Sequence, residues 1–319
     1  MKRFQKSIIC FMLCFVMGFA DTTKESANLE NNNLEKHLRD NVAQKLESRI
    51  TDLSDETGWY FTNKGGFKYN YLGASYTSQF YYKRALFRDK HPLFFGSAEI
   101  NSGIEATFTS YGRLGAFVDF QPFSFFGIVF NVTYEGAWSE LGKPVLIESQ
   151  RDYAHAVTGG PKSTKEVIRT GGNTLLFQIV PYLTLGLPIK DDFLVFVYRP
   201  FITIYKALDV SPNTFLYYST DNVVVRPSDV HVAHDIMLLY SITSLGIRFG
   251  VDGVIEQIGS YKGIWRHGIF AIGIYHNPLK QYKKLTPFAA LKVGTWLSDR
   301  YFQHDFTIFA ECGLRFKVF

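Results

Sequence analysis

Glu99, Glu105, Asp119 and Glu135 share one setting: each occurs in a stretch where apolar and polar residues take turns. Asn131 and Gln178 hold polar positions in two such stretches, and Lys292, Glu311, Arg315 and Lys317 do so in the last two. Acids gather early in the chain and bases gather late. A catalytic constellation would need a nucleophile, a base and an orienting group within hydrogen-bond reach. Nothing in this spacing supplies that. Charges at every second position instead line one polar surface. Across a water-filled space, opposed acids and bases set up a transverse field that selects solutes. The alternative is that they pair with each other and fill the space as a structural network.

The local motifs of common enzymes are absent. TGGPKST (158–164) has the flavour of a phosphate-binding loop, but Pro161 follows the second glycine and no helix is signalled behind it, so it reads as a plain loop. The chain contains no His-Glu-x-x-His, no Cys-x-x-Cys and no Gly-x-Ser-x-Gly. His231 and His234, with Asp235, stand together, while His267, His276 and His304 are scattered. A lipid hydrolase would need a His and a Ser side by side on an outer face; these histidines read better as rim or interfacial residues. The sequence therefore predicts no enzyme, no cofactor and no metal site.

The polar residues must be positioned by strands. From Trp59 onward the pattern has period two, which puts alternate side chains on opposite faces. Candidate strands are 58–63, 67–83, 97–109, 114–121, 125–138, 174–187, 193–207, 214–225, 231–249, 264–276, 286–297 and 304–319, of which 58–63 and 214–225 are weak. The count is about twelve, with ten or fourteen as alternatives. Phe306, Ile308, Ala310, Cys312, Leu314, Phe316 and Val318 fall on one face of the last stretch, against Glu311, Arg315 and Lys317 on the other.

The N-terminal part differs. Lys2, Arg3 and Lys6 precede an apolar run from Ile8 to Phe19 and a small residue at Ala20, the pattern of a secretory signal peptide over 1–20 with cleavage near Ala20. The run is too short for a spanning helix. Those three bases account for much of the formal net charge of +5, so the basic balance argues for no nucleic-acid partner. Cys10 and Cys14 belong to the leader, which leaves Cys312 without an intramolecular disulfide partner. Within 21–57, a polar start leads into Leu34, Leu38, Val42, Leu46, Ile50 and Leu53, an amphipathic helix over about 33–53.

An exported chain rich in aromatics, with alternating strands and no spanning helix, fits a closed barrel over 58–319. Only helices and closed barrels satisfy their own backbone in lipid. The end of the chain also resembles the β-signal of bacterial outer-membrane barrels, through Glu311, Gly313, Phe316, Val318 and Phe319. The resemblance implies an all-β, transmembrane, antiparallel up-and-down barrel in the outer membrane, handled by the barrel-assembly machinery and surrounded by outer-membrane lipid. It implies no substrate.

With twelve strands, the long segment 139–173 lies outside the cell, and QPFS, LPIKDD and RPSD form periplasmic turns. Tyr69, Tyr71, Tyr81, Tyr82, Trp138, Tyr217, Tyr218, Trp265 and Trp296 read as interfacial girdles. The expected function is a narrow channel for small polar solutes, lined by the polar set above. The competing expectation is a non-conducting surface protein that binds a partner through loop 139–173 or helix 33–53.

Overall fold

A computed structural model of the chain describes residues 57–69, 73–88, 97–158, 168–218, 221–257, 260–261, 265–276, 285–298 and 306–318. The expected leader, the expected helix 33–53, Tyr71, His304, Phe319 and all of TGGPKST after Thr158 lie outside the described residues.

Twelve strands close on themselves: β1 (Gly58–Tyr69), β2 (Gly73–Arg88), β3 (Ser97–Phe108), β4 (Tyr111–Phe123), β5 (Phe126–Ala137), β7 (Asn173–Ile189), β8 (Asp192–Ala207), β11 (Ser228–Ile242), β12 (Ile247–Gln257), β13 (Trp265–His276), β14 (Leu285–Ser298) and β15 (Phe306–Lys317). All neighbours are antiparallel, and β15 pairs with β1 from Tyr60↔Lys317 to Tyr69↔Ile308, which removes both edges. Alternation then separates the faces. Ile104, Leu114, Phe130, Val132, Val251, Leu291 and Phe306 are among the exposed outward residues, with Leu114 62% exposed. A largely apolar exterior on a closed barrel marks a membrane-spanning β-barrel.

The count of twelve matches the expectation, but by a different route. The stretch 67–83 is the end of β1 and most of β2, so 58–63 and 67–69 belong to one strand. The stretch 231–249 is not one strand but parts of β11 and β12, joined through a turn in which Gly246 takes φ +66°. The stretch 214–225 does not enter the wall. It holds β9 (Phe215–Tyr218) and β10 (Val223–Val225), which pair with each other and with β6 (Val145–Ile147) in a separate three-stranded sheet. At four and three residues β9 and β10 are too short to cross a bilayer, which takes about nine to eleven.

These corrections leave QPFS and LPIKDD at the end opposite segment 139–173, as expected, and move only RPSD. The turns 124–125, 190–191 and 243–246 share one end of the barrel, the short-turn end. Segments 138–172 and 208–227 share the other, the long-loop end. RPSD (226–229) therefore sits with the long loops, and β11 descends from there past His231 and His234.

The described parts of these two segments build a lid. Helix α1 (Gln150–Thr158) starts at Ser149, whose Oγ accepts from the Asp152 N–H (3.3 Å) while its own N–H donates to Asp152 Oδ2 (3.0 Å), a reciprocal cap. One face of the small sheet packs Val145, Ile147, Tyr217 and Val224 against Tyr153 of α1 and Tyr261. The other packs Leu216, Tyr218, Val223 and Val225 against Leu176 of β7 and Tyr205 of β8. Val223, Val224 and Val225 are 0% exposed, and each such burial stabilises by roughly 1.5–3 kcal/mol. Asn222 turns the chain into β10 with φ +54°, a conformation asparagine tolerates, and its Oδ1 accepts from the Tyr217 hydroxyl at 2.8 Å.

The assignment of faces predicts the response to a misplaced charge. Val132→Arg, on the outer face midway along β5, should lower the unfolding free energy in bilayers by roughly 2–4 kcal/mol. Asn131→Arg, one residue away beside Glu105, should cost clearly less. Urea titration of both variants in lipid vesicles checks this.

Candidate functional site

The interior is polar because the wall turns one residue in two inward. Glu99 and Glu105 on β3, Asp119 on β4, Asn131 and Glu135 on β5, Gln178 on β7, Lys292 on β14, and Glu311, Arg315 and Lys317 on β15 occupy inward register. The structure does not set the early acids against the late bases across the lumen. Each acid meets a nearer partner: Glu99 holds Lys83 Nζ at 2.8 Å, and Glu105 accepts from Gln79 (3.0 Å) and Asn131 (2.9 Å). Asp119 accepts from Asn101 (3.2 Å) and the Tyr182 hydroxyl (3.1 Å). Glu311 pairs with Lys64 of β1 at 3.1 Å. Gln178 donates to Thr203 Oγ1 at 3.2 Å. Arg315 keeps a buried Nε without a hydrogen-bond partner in the protein. Gly313 has a steric role here, since a Cβ there would lie 2.3 Å from the Asn63 carbonyl oxygen and 2.5 Å from the Phe288 ring.

Apart from Lys292, the wall on β12 to β14 and β1 carries residues that the sequence pattern does not single out. Arg266 Nη2 reaches Glu256 at 2.6 Å, and its guanidinium stacks 4.4 Å over Trp296. Lys292 Nζ reaches Asp252 at 2.6 Å and lies 4.6 Å from the Phe270 centroid. Lys68 and Lys292 stand 5.1 and 5.6 Å from the Phe309 centroid. His231 Nε2 is 3.1 Å from Glu256 Oε1, near enough for an ion pair but off the line of a hydrogen bond. Arg199 and Asp235 pair at 2.8 Å. Two features hid this wall. Asp252 and Glu256 lie on β12, a strand interrupted by Gly250 and Gly253, and β13 alternates weakly because Phe270, Ile272 and Ile274 face inward too.

The lid is tied into the lumen through Asp221. Arg113 on β4 donates Nε to Glu135 Oε2 (2.6 Å) and Nη2 to Asp221 Oδ2 (2.8 Å), and the Tyr205 hydroxyl donates to the same Asp221 oxygen (2.9 Å). Asp221 belongs to the turn before β10, so this latch joins the lid to β4 and β8, three strands apart in the wall. Burial alone would raise the Asp221 carboxyl, but the Arg113 charge and the hydrogen bonds from Arg113 and Tyr205 hold it below the usual carboxylate range. Thr174 Oγ1 and the Tyr218 hydroxyl add a buried bond of 2.8 Å.

Two cavities flank the latch. One of about 410 Å³ is lined by Lys68, Arg113, Thr203, Asp221, Glu256, Arg266, Lys292 and Phe309, among others. A second, of about 600 Å³, runs beside the lid along Tyr111 and Tyr217 to Lys68, Lys292, Phe309 and Glu311. They share Lys68, Lys292 and Phe309.

Among the aromatic residues expected in girdles, Tyr69, Trp138 and Trp265 are exposed on the outside, and Tyr82 stands beside Trp59 there. Tyr81 and Trp296 instead point inward, while Tyr217 and Tyr218 are lid core. The two neighbouring histidines separate: His231 faces the lumen, and His234 faces outward with Nδ1 3.0 Å from the Tyr198 hydroxyl rather than from a serine. Among the described residues no group of three or more His, Cys, Asp or Glu side chains could hold a metal ion.

No family model and no curated protein matches the chain. Among solved structures it is similar to the KdgM porin in complex with disordered oligogalacturonate, at 8% identity over 82% of this chain and 99% of that one (TM-score 0.35). It is similar to the beta domain of the Bordetella autotransporter BrkA at 10% identity, over 82% and 98% (TM-score 0.40). Wzi, an Escherichia coli carbohydrate-binding barrel of the outer membrane, is a third, at 9% identity over 86% and 88% (TM-score 0.26). At such scores these likenesses add nothing to what the strand pairing establishes.

The latch predicts a pH dependence. The Asp221 carboxyl lies below its ordinary value of about 3.9, so its contribution is complete above that value. It is lost as pH falls through the depressed folded value. Pepsin should cut segment 208–227 only at the acid end of its range in the native protein, and across that whole range in Asp221→Asn. Cleavage in native protein that does not change with pH would contradict the assignment.

Proposed function

We propose that this protein is a narrow outer-membrane channel for small polar solutes, partly covered at the cell exterior by its lid. The observation that carries this reading is the pair of cavities meeting at Lys68, Lys292 and Phe309, which together run from the middle of the lumen past one side of the lid. The walls of the inner cavity are charged and polar, and two buried atoms there, His231 Nε2 and Trp296 Nε1, have no hydrogen-bond partner in the protein. Such atoms suit a hydrated lumen better than a dry core. The two longest connections lie at one end and the turns 124–125, 190–191 and 243–246 at the other, which suits the exterior and periplasmic sides of an outer-membrane barrel, and the expected leader fits export there. Ion pairs around the wall leave narrow passage, so selection would fall on small solutes, and the two ammonium groups at the junction favour anions.

A second reading has its own support. The lid has a two-sided apolar core of the kind that closes an opening permanently, which fits a non-conducting surface protein that binds through segment 138–172. Conductance separates the two. In a planar bilayer the channel reading expects small, discrete current steps. Replacing 215–225 with a Gly-Ser linker should enlarge them, and Lys68→Gln with Lys292→Gln should move the reversal potential in a salt gradient toward cations. A folded, inserted barrel that stays silent with and without the hairpin would leave the surface-protein reading.

A further inference from the structure

The outer face carries a feature the lumen does not explain. Asn63 lies midway along β1 and points outward, in register with Ser78 of β2 and Leu314 of β15. Its Oδ1 accepts from the Tyr76 hydroxyl at 2.7 Å and from Ser78 Oγ at 2.8 Å. Its amide NH2 donates to no described residue. Cys312, Gly65 and Tyr76 form the next outward row, and a Cβ at Gly65 would meet nothing within 4 Å. The result is a shallow depression with a carboxamide in it, between Phe67 on one side and Phe61 and Phe80 on the other.

Hydrocarbon offers no acceptor, so polar groups in this position are matched by protein groups wherever protein is available. The patch is also self-complementary, with the Asn63 NH2 as donor and the Tyr76 and Ser78 hydroxyl oxygens, each with acceptor capacity left, as acceptors. Two copies related by a twofold axis along the membrane normal would bring the same patch face to face, each amide donating to a hydroxyl oxygen of the other. Gly65 and Cys312 are small enough to let the two walls approach, as small residues do in membrane interfaces. We infer that the β15–β1–β2 face, centred on Asn63, is a self-association surface whose partner is a second copy of this chain. The surface lies outside the lumen, so this inference is independent of conduction.

Cys312, exposed on the same patch, is a built-in reporter. The test uses the full chain with Cys10→Ala and Cys14→Ala, folded into phosphatidylcholine vesicles and treated with a short bismaleimide. Cross-linked dimer through Cys312 is expected, with second-order dependence on protein density in the bilayer. Asn63→Leu should weaken association ~tenfold, the size expected of two interfacial hydrogen bonds in lipid, while Asn63→Gln should retain most of it. Removing a polar group from a lipid-facing position does not threaten folding, and the unchanged heat-dependent shift of the barrel on a gel verifies that. Monomer at all densities would overturn the inference, as would a dimer whose cross-linking and affinity ignore Asn63→Leu.

Discussion

Lipid leaves the backbone of a strand no outside partner, and that constraint governs the molecule. Every N–H and C=O in the wall must bond to a neighbouring strand, so the pairing of β15 with β1 is a requirement that the other pairings depend on. Once the sheet closes, side chains alternate between hydrocarbon and lumen with no further freedom. Charged residues can then go only inward, which makes the lumen the one place in the wall where chemistry is available.

Inside, the charges satisfy one another first. Glu135 with Arg113 and Glu256 with Arg266 are close pairs between adjacent strands, and Asp252 with Lys292 reaches across β13 from β12 to β14, so all three brace the wall as well as charge it. A buried pair of this kind contributes little net stability but is costly to break from one side. Arg113 does more than brace. By holding Asp221 it converts a loop with its own apolar core into a lid attached at a defined depth. The open volume left between lid and wall falls on the side of Lys68 and Lys292, where ammonium groups flank an aromatic ring.

How much of this the sequence revealed depended on how each residue is buried. Strands with lipid on one side and polar lumen on the other, such as β3 and β5, alternate cleanly and were legible. So was the inward register of Glu99, Glu105, Asn131 and Glu135. Where the inward face is itself apolar, as at Phe270, Ile272 and Ile274, the period-two contrast fades, and Arg266 gives no signal. Val223–Val225 reads as part of a wall strand because a run buried on both faces has no polar phase. Only the pairing shows that it closes a lid. Asp221 was illegible for another reason: its partners Arg113 and Tyr205 come from distant strands, and no local pattern encodes that meeting.

On the proposed reading the lumen is a hydrated passage open on both sides of the membrane. The most direct measurement is the reaction of a cysteine at Thr203, in the wall of the inner cavity, on a background with Cys10, Cys14 and Cys312 all changed to Ala. A small charged thiosulfonate would be added to one side of the bilayer at a time. The account predicts modification from either side, slower from the side of the long loops. Protection from both sides would contradict it.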